Sequence, residues 1–552
     1  MSSFIENSYA VFHTSSEVPL FGIINENENE KFGIISLKIK KTNIINTPTL
    51  FLFTIDTTGS MDEPAYKNIT KLQVVKQTFR SMMNYLSILK TQIYVRVHSF
   101  NENVTIIVDN ILISQDNVND IICKIDKLYA DRSTNIGEAL KYANDTMNKY
   151  SIENPQHQLV HIFMTDGQAT SGITNNNELV KIVDTKHTNN FIGFGFDHNA
   201  VLLKKLSDLD NSEYLFVDNM ENTTLIYGEI IHRYLYSAIK NAEIVIKDGI
   251  IYNWKTNNWN TNLIEPIIVS ELEKIYHIKT TNIADINIKL YGVNTDDNTN
   301  TVQLLDVIDV VPELIQMKEI NNNDNEYTFI EEEVPTDLSK YMFRQRTQEL
   351  LFKSNKSFNE NQYEKQLFKN ELNKFFKNMR KYMRKNDLLK DKFMITLCDD
   401  ICITYRSFGT DYGLMYSTSR STSQGRQQAY NVTPIKPGQQ CNNMTSSFLE
   451  QPKLIRNSSK NKLIPLPEEI TENWGNFNNM QRTVCLTQEF IEEETYFDNS
   501  YVLMNRNLFV DTTLDNVDAG DDDIDDYNLS NDNTSCYATE GTLNTMNLMS
   551  QM

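Results

Sequence analysis

At 552 residues and 64.0 kDa the chain has room for two to four domains, and its 40% hydrophobic content can fill at least one large core. A net charge of -21 and a pI near 4.9 argue against nonspecific nucleic-acid binding by the chain as a whole. Six cysteines (Cys123, Cys398, Cys402, Cys441, Cys485, Cys536) are thinly spread with no paired framework, and read as reduced thiols inside a cell. The N-terminal stretch MSSFIENSYAVFHTSSEVPL lacks a basic segment followed by an apolar one, and no run approaches the roughly 18 apolar residues of a membrane span. The expectation is a protein without a signal peptide or membrane span, intracellular and cytoplasmic.

Taken in order, residues 1–19 read as disordered, and Leu20–Ile45 as a hairpin turning over the polar centre Asn25–Lys31. In its second arm Ile35, Leu37 and Ile39 alternate with Ser36, Lys38 and Lys40, which predicts one buried and one wet face. Residues 1–48 are thus a disordered start plus a hairpin that joins a later β-sandwich. The run Leu50–Ile55 predicts a strand buried on both faces, as parallel sheets require. A helix follows with Leu72, Val75, Phe79, Met82, Leu86 and Leu89 on one stripe. Next come strands at 93–100 and 104–108, a short helix carrying Val118, Ile121, Ile122 and Ile125, and a longer one carrying Ile136, Leu140, Ala143 and Met147. A buried strand at 159–165, a helix at 176–187, a strand at 191–196, a helix at 200–206, a strand at 214–217 and a helix at 222–239 complete the alternation. Six strands interleaved with helices make residues 49–240 an α/β domain with a doubly wound, mostly parallel sheet.

From 241 to 330 the period changes to two, as in Ile244–Ile246, Ile275–Ile278 and Ile286–Leu290, and short strands at regular spacing predict a β-sandwich. Residues 335–395 read as helical: Phe368, Leu372, Phe375, Met379 and Tyr382 share one stripe, and Lys369, Lys374, Lys377, Arg380, Lys381, Arg384 and Lys385 fill the other faces. A solvated basic face is the plain reading, with phosphate or an acidic partner as the alternative. Residues 396–430 read as a Ser/Thr-rich connector, and 431–552 as a mostly disordered acidic tail. Its densest run, 511–526, is not an EF-hand, because Val517 and Ala519 fall on ligand positions counted from Asp515. A plain solvating tail is one expectation for it, and occupation of a metal site in cis another.

The strand 50–55 ends on Asp56, and Thr58 and Ser60 follow at alternate positions of a turn expected to rely on Gly59. The strand 159–165 likewise ends on Asp166, and Thr134 lies in a loop just ahead of a helix. In an open α/β sheet these strand ends form the ligand-binding edge. Two carboxylates and three hydroxyls make an all-oxygen set that suits Mg²⁺ or Mn²⁺ and not zinc. The order Asp56, Thr58, Ser60, then Thr134 within STNIGEAL, then Asp166 within FMTDGQAT resembles the metal-ion-dependent adhesion site of von Willebrand factor type A domains. Thr58 departs from the usual Ser but keeps the hydroxyl. The resemblance implies Mg²⁺ held with one coordination position open to a Glu or Asp of a protein partner, with Asp56 and Asp166 acting partly through water. The segment 408–431 is similar to the tail of plant-type members that also carry a RING finger, whose cysteines this chain lacks.

Cys398 and Cys402 stand four apart with no second pair or His at zinc-finger spacing, and no H-E-x-x-H, P-loop or G-x-S-x-G occurs. The leading expectation is therefore a non-catalytic, Mg²⁺-dependent protein-binding module acting as an intracellular adaptor or assembly factor. Alternatives are a non-catalytic component of a ubiquitin-ligase-like complex, and a structural assembly protein whose metal site is vestigial.

Overall fold

The computed structural model describes residues 4–15 and 30–426, with breaks at 41, 43, 46, 67–68, 196–197, 218–222, 271–272, 296–300, 312–313, 322–326, 335 and 359, together with Ile524 and Tyr527. All of these fall in one compact unit, residues 1–430 with 515–552. The tail expected over 431–552 lies outside the described residues except for Ile524 and Tyr527.

In chain order the first elements are β1 (Ile5–Phe12), β2 (Lys31–Ile39), β3 (Thr49–Asp56), the short strands β4 (Pro64–Tyr66) and β5 (Ile69–Thr70), α1 (Lys71–Ile88), β6 (Ile93–Phe100) and β7 (Val104–Leu112). Then come α2 (Val118–Asp126), α3 (Ile136–Glu153), β8 (Gln158–Thr165), α4 (Asn176–Val180), β9 (Thr188–Phe194), α5 (Ala200–Ser207), β10 (Ser212–Val217) and α6 (Thr223–Leu235). Six of the strands form one sheet in the order β10-β9-β8-β3-β6-β7, parallel throughout except for β7. After β3 the chain steps to β6 on one side and later to β8 on the other, so the winding reverses between β3 and β8. That reversal opens a crevice at their carboxyl ends.

Every residue of β3 is buried, which its unbroken apolar run predicts. Phe51, Phe53 and Ile55 pack with Leu72, Val75 and Phe79 of α1 and with Ile226, Tyr227 and Ile230 of α6. On the opposite face Leu52 meets Ala143 and Met147 of α3. Phe79 stands edge-on to Phe53 and Tyr227, with ring centroids 4.9 and 5.6 Å away. Such pairs add roughly 0.5–1.5 kcal/mol each beyond area burial. The six-strand, mostly parallel sheet is as the sequence predicts; the helix expected over 176–187 is shorter, ending at Val180.

Only Tyr236 separates α6 from β11 (Ser237–Lys247), so residues 237–239, expected to be helical, begin a strand. There follow β12 (Ile250–Asn253), β13 (Asn258–Asn260), β14 (Asn262–Val269), β15 (Glu273–Thr280), β16 (Asn287–Asn294) and β17 (Gln303–Ile308). Two antiparallel sheets, β1-β2-β15-β12-β13 and β14-β11-β16-β17, face each other across Ile35, Leu37, Ile39 and Tyr276 on one side and Ile244, Leu263, Ile288 and Leu290 on the other. The sandwich is therefore completed by strands from before the α/β domain, with a pairing other than the expected hairpin. The partner of β2 is β1, from the stretch read as disordered, where Ala10, Val11 and Phe12 are buried. Nor is β2 half wet: Ser36 is buried too, because its hydroxyl bonds Glu273 of β15 and that face of the sheet is covered, with Tyr341 and Gln345 packed on His277 of β15. The strands β18 (Leu314–Asn321) and β19 (Tyr327–Val334) pair with each other.

Four helices close the unit: α7 (Ser339–Ser357), α8 (Gln362–Lys385), α9 (Lys392–Ser407) and α10 (Asp411–Arg426). The predicted stripe of α8 is buried as expected, but Arg380, assigned to a polar face, is buried with it. The expected connector over 396–430 is corrected outright, since it holds most of α9 and all of α10. Hydroxyls misled the reading because they are folded back. Ser417 donates to Gly413 O (2.8 Å), Thr418 to Leu414 O (2.7 Å) and Thr422 to Thr418 O (3.0 Å), which hides their polarity inside the helix. Helix α10 packs on α7, α9, α5 and β10. Its Gly425 lies against the Trp254 ring, where a Cβ would come within 2.3 Å.

Candidate functional site

Asp56 is the last residue of β3 and Thr165 the last of β8, and the register of the two strands sets them side by side. Thr165 Oγ1 donates to Asp56 Oδ2 at 2.6 Å, and the Thr58 N–H donates to Asp56 Oδ1 at 2.9 Å. The chain then turns through a 3-10 segment, Gly59–Asp62. Gly59 is not in the left-handed region, and a Cβ there would make only an ordinary contact with Arg132 O at 3.5 Å, so the turn does not depend on glycine as expected. Thr58 Oγ1 lies 3.1 Å from Ser60 Oγ, and Ser60 Oγ donates to Asp166 Oδ1 at 2.8 Å. Asp56, Thr58, Ser60 and Asp166 thus form one linked string of oxygens at the crevice.

Thr134 joins them through its loop. The Asp131 N–H donates to Thr57 O (2.9 Å) and the Gly59 N–H to Arg132 O (3.0 Å), so two backbone bonds pin the loop to the turn. Arg132 holds a φ of 69°, a conformation few non-glycine residues adopt. On the far side the Thr134 N–H donates to Thr170 Oγ1 at 2.8 Å, and Thr134 O accepts from Thr170 and Ser171. Asn135 then caps α3 by accepting from the Glu138 N–H. All five predicted residues reach the same edge; Asp56, Thr58, Thr134 and Asp166 are buried and Ser60 is half-buried.

One residue at this edge escaped the sequence reading. Lys71, the first residue of α1, is 5% exposed, and its Nζ donates to Asp166 Oδ2 (2.9 Å) and to Glu63 Oε2 (2.7 Å). A signal existed: Thr70 and Gln73 form a capping box, which fixes the helix start and turns its first residue toward the turn after β3. Burial opposes the Lys71 charge, but the adjoining Asp166 and Glu63 carboxylates win and raise it above the ordinary lysine range. Burial first and the Asp166 charge second push Asp56 up to about 7, against the hydrogen bonds from Thr165 and Thr58.

Among the described residues no group of three or more His, Cys, Asp and Glu clusters as a metal site. An ion at this edge would therefore rest on two carboxylates and on hydroxyls. The set fits a hard ion: oxygen spacings of 2.8 and 3.1 Å match the roughly 3 Å edge of an octahedron around Mg²⁺. The same spacings are ordinary hydrogen bonds, and Lys71 already shares Asp166.

Comparison with protein families matches residues 52–229 to the von Willebrand factor type A domain. Comparison with curated proteins gives no match. Among solved structures, a von Willebrand factor type A protein from Catenulispora acidiphila is 11% identical, with 65% of this chain and 83% of that one covered and a TM-score of 0.42. The ArnB paralog VWA2 from Sulfolobus acidocaldarius is 10% identical, with 76% and 98% covered and a TM-score of 0.40. Proximal thread matrix protein 1 from the mussel byssus, with a zinc-occupied MIDAS motif, is 19% identical, with 38% and 51% covered and a TM-score of 0.29. Among the described residues no helix is long and apolar enough to cross a membrane. Type A domains generally mediate protein–protein interaction, in some cases through a metal-ion-dependent adhesion site. Residues 52–229 of this chain, with their six-strand sheet and the oxygen set at its edge, belong to the von Willebrand factor type A domain family.

Proposed function

We propose that the chain is a non-catalytic, intracellular adaptor or assembly factor whose type A domain captures a partner's Glu or Asp at an edge where Asp56, Thr58, Ser60, Thr134 and Asp166 hold Mg²⁺ or Mn²⁺. The observation that carries this reading is the linked string of Asp56, Thr58, Ser60 and Asp166 oxygens at the sheet's winding reversal. When bound, such an ion supplies an electrophilic coordination position that a partner carboxylate can fill. The chain's own residues prepare that position. Thr165 and the Thr58 N–H fix the Asp56 carboxyl, the Ser60 hydroxyl orients Asp166, and the loop pinned at Thr57 and Gly59 holds Thr134 in place. Each of these groups positions an oxygen, which supports binding rather than turnover.

Lys71 also favours a second reading, a structural protein whose site is vestigial, because its ammonium already neutralises Asp166 without a metal. Affinity capture from the source cells separates the two. A partner retained with Mg²⁺ and lost both with EDTA and with Asp56→Ala is the expected outcome. The same partners surviving all three conditions would overturn the adhesion-site reading in favour of the vestigial one.

A further inference from the structure

The acidic run near the C-terminus ends in Asp521, Asp522, Asp523, Ile524, Asp525, Asp526 and Tyr527. Ile524 and Tyr527 are seated on α8 and α9, although 122 positions separate Ile524 from its contact Cys402. Ile524 is fully buried and Tyr527 is 7% exposed. Arg406 Nη2 donates to both their carbonyl oxygens, at 3.0 Å to Ile524 O and 2.7 Å to Tyr527 O, and so reads two main-chain groups three residues apart. The Tyr527 ring meets Phe376 edge-on at 5.0 Å, and the Arg380 guanidinium stands 5.3 Å from its centre. Its hydroxyl donates to Asp399 Oδ1 at 3.0 Å. A buried aromatic anchor, a buried aliphatic one and an arginine on the main chain have the composition of a peptide-recognition hot spot.

Charge points the same way. The segment carries five acids around Ile524, while α8 exposes Lys374, Lys377, Lys381 and Lys385 along the stretch that contributes Phe376 and Arg380. A basic face beside an acidic ligand speeds docking and makes it salt-sensitive. We propose that the face of α8 and α9 formed by Phe376, Arg380, Asp399, Cys402 and Arg406 is a binding site for an acidic Ile-x-x-Tyr peptide, occupied in this chain by its own Ile524 and Tyr527, which a competing peptide can displace. Ile524 and Tyr527 are thus seated on the helical layer, and this site is separate from the one proposed for Mg²⁺.

A fluorescein-labelled peptide of residues 519–531 provides the probe, titrated into the full chain and into the full chain carrying Ile524→Ser with Tyr527→Ser. The emptied site should bind the peptide at least ten-fold more tightly than wild type, whose own Ile524 and Tyr527 compete. Adding Arg406→Ala should remove that gain, and raising salt from 0.05 to about 0.5 M should weaken binding. Equal binding to both chains, or no binding by a folded variant, would overturn the proposal. So would a dimeric wild type that becomes monomeric in the variant, since the segment would then come from a second copy. If the variant does not fold, native-state hydrogen exchange on wild type decides. The amide of Tyr527 should exchange at least a hundred-fold faster than that of Cys402, and exchange of both only through global unfolding would make the segment a fixed part of the fold.

Discussion

Two buried acids in this molecule do opposite things. Asp400, in α9, is met by three side chains from one face of α10: Tyr416 Oη (3.0 Å), Arg420 Nε (2.7 Å) and Gln424 Nε2. Asp166, at the end of β8, is met by a hydroxyl and by Lys71, beside a second acid whose proton affinity is already raised. The first centre spends its polarity inward and welds two helices. The second leaves like charges adjacent at the carboxyl end of the parallel sheet. Burial alone does not make an acid functional; what distinguishes a site is unspent repulsion near an entrance.

The contrast can be broken at either centre. Asp400→Ala would remove the buried carboxylate that Tyr416, Arg420 and Gln424 share and cost about 3–5 kcal/mol, seen in the urea midpoint, with Mg²⁺-dependent capture of a partner unchanged. A loss below about 1 kcal/mol would show that the weld is not what holds α10.

A comparable loss should come from acid. His161, between Thr54 Oγ1 (2.9 Å) and Asn189 Oδ1 (3.0 Å), is lowered to about 4, chiefly by burial. An unfolded histidine titrates near 6.5, so on acidification the unfolded chain takes the proton first. The stability is intact above about pH 6.5 and drains away between 6.5 and 4, up to about 3 kcal/mol. Denaturation at pH 7 and 4.5 should show a smaller difference for His161→Gln than for wild type.

At the edge proposed to hold Mg²⁺ the sign reverses. Mg²⁺ at a hundred times its Kd should stabilise the wild type by about 2.7 kcal/mol and leave Asp56→Asn unmoved in calorimetry. Without metal, near pH 8, the variant should be at least as stable as wild type, because one of two repelling buried acids is gone. A metal-free loss of 3 kcal/mol or more would make Asp56 a structural acid like Asp400.

The smallest expected change concerns the cation. Lys71→Met frees Asp166 Oδ2 and should tighten Mg²⁺ about ten-fold, roughly 1.4 kcal/mol, by titration calorimetry. Unchanged affinity would mean that Lys71 and the metal do not share Asp166.

The same contrast explains what was legible beforehand. Asp56, Thr58, Ser60 and Asp166 could be read because buried apolar strands stop abruptly on them, and Thr134 because a helix begins just after it. Lys71 could not, since a lysine on an amphipathic helix ordinarily faces water, and only the fold brings it 95 positions across to Asp166. Helix α10 was invisible for a different reason. Ser, Thr and Gly predict a turn when their hydroxyls compete with the backbone, whereas here they bond within the helix and Tyr416, Arg420 and Gln424 recur at every fourth position onto Asp400. That spacing was in the sequence, but its target was on another helix. β1 was missed because its neighbours in the sheet are set by pairing with β2 and not by its own alternation.

The sandwich built from both flanks of the type A domain bears on synthesis. Ser36 Oγ of β2 donates to Glu273 on β15, 237 positions later, and the two strands pair along their whole lengths. At roughly 5–20 residues per second, a ribosome needs on the order of ten seconds to a minute to deliver that partner. Through that interval β2 has an open edge and an apolar face outside the exit tunnel while the type A domain is being completed behind it. Nascent chains should therefore be most vulnerable to aggregation in this window, and holding factors that shield strand edges should matter more for yield than any that act on the finished protein.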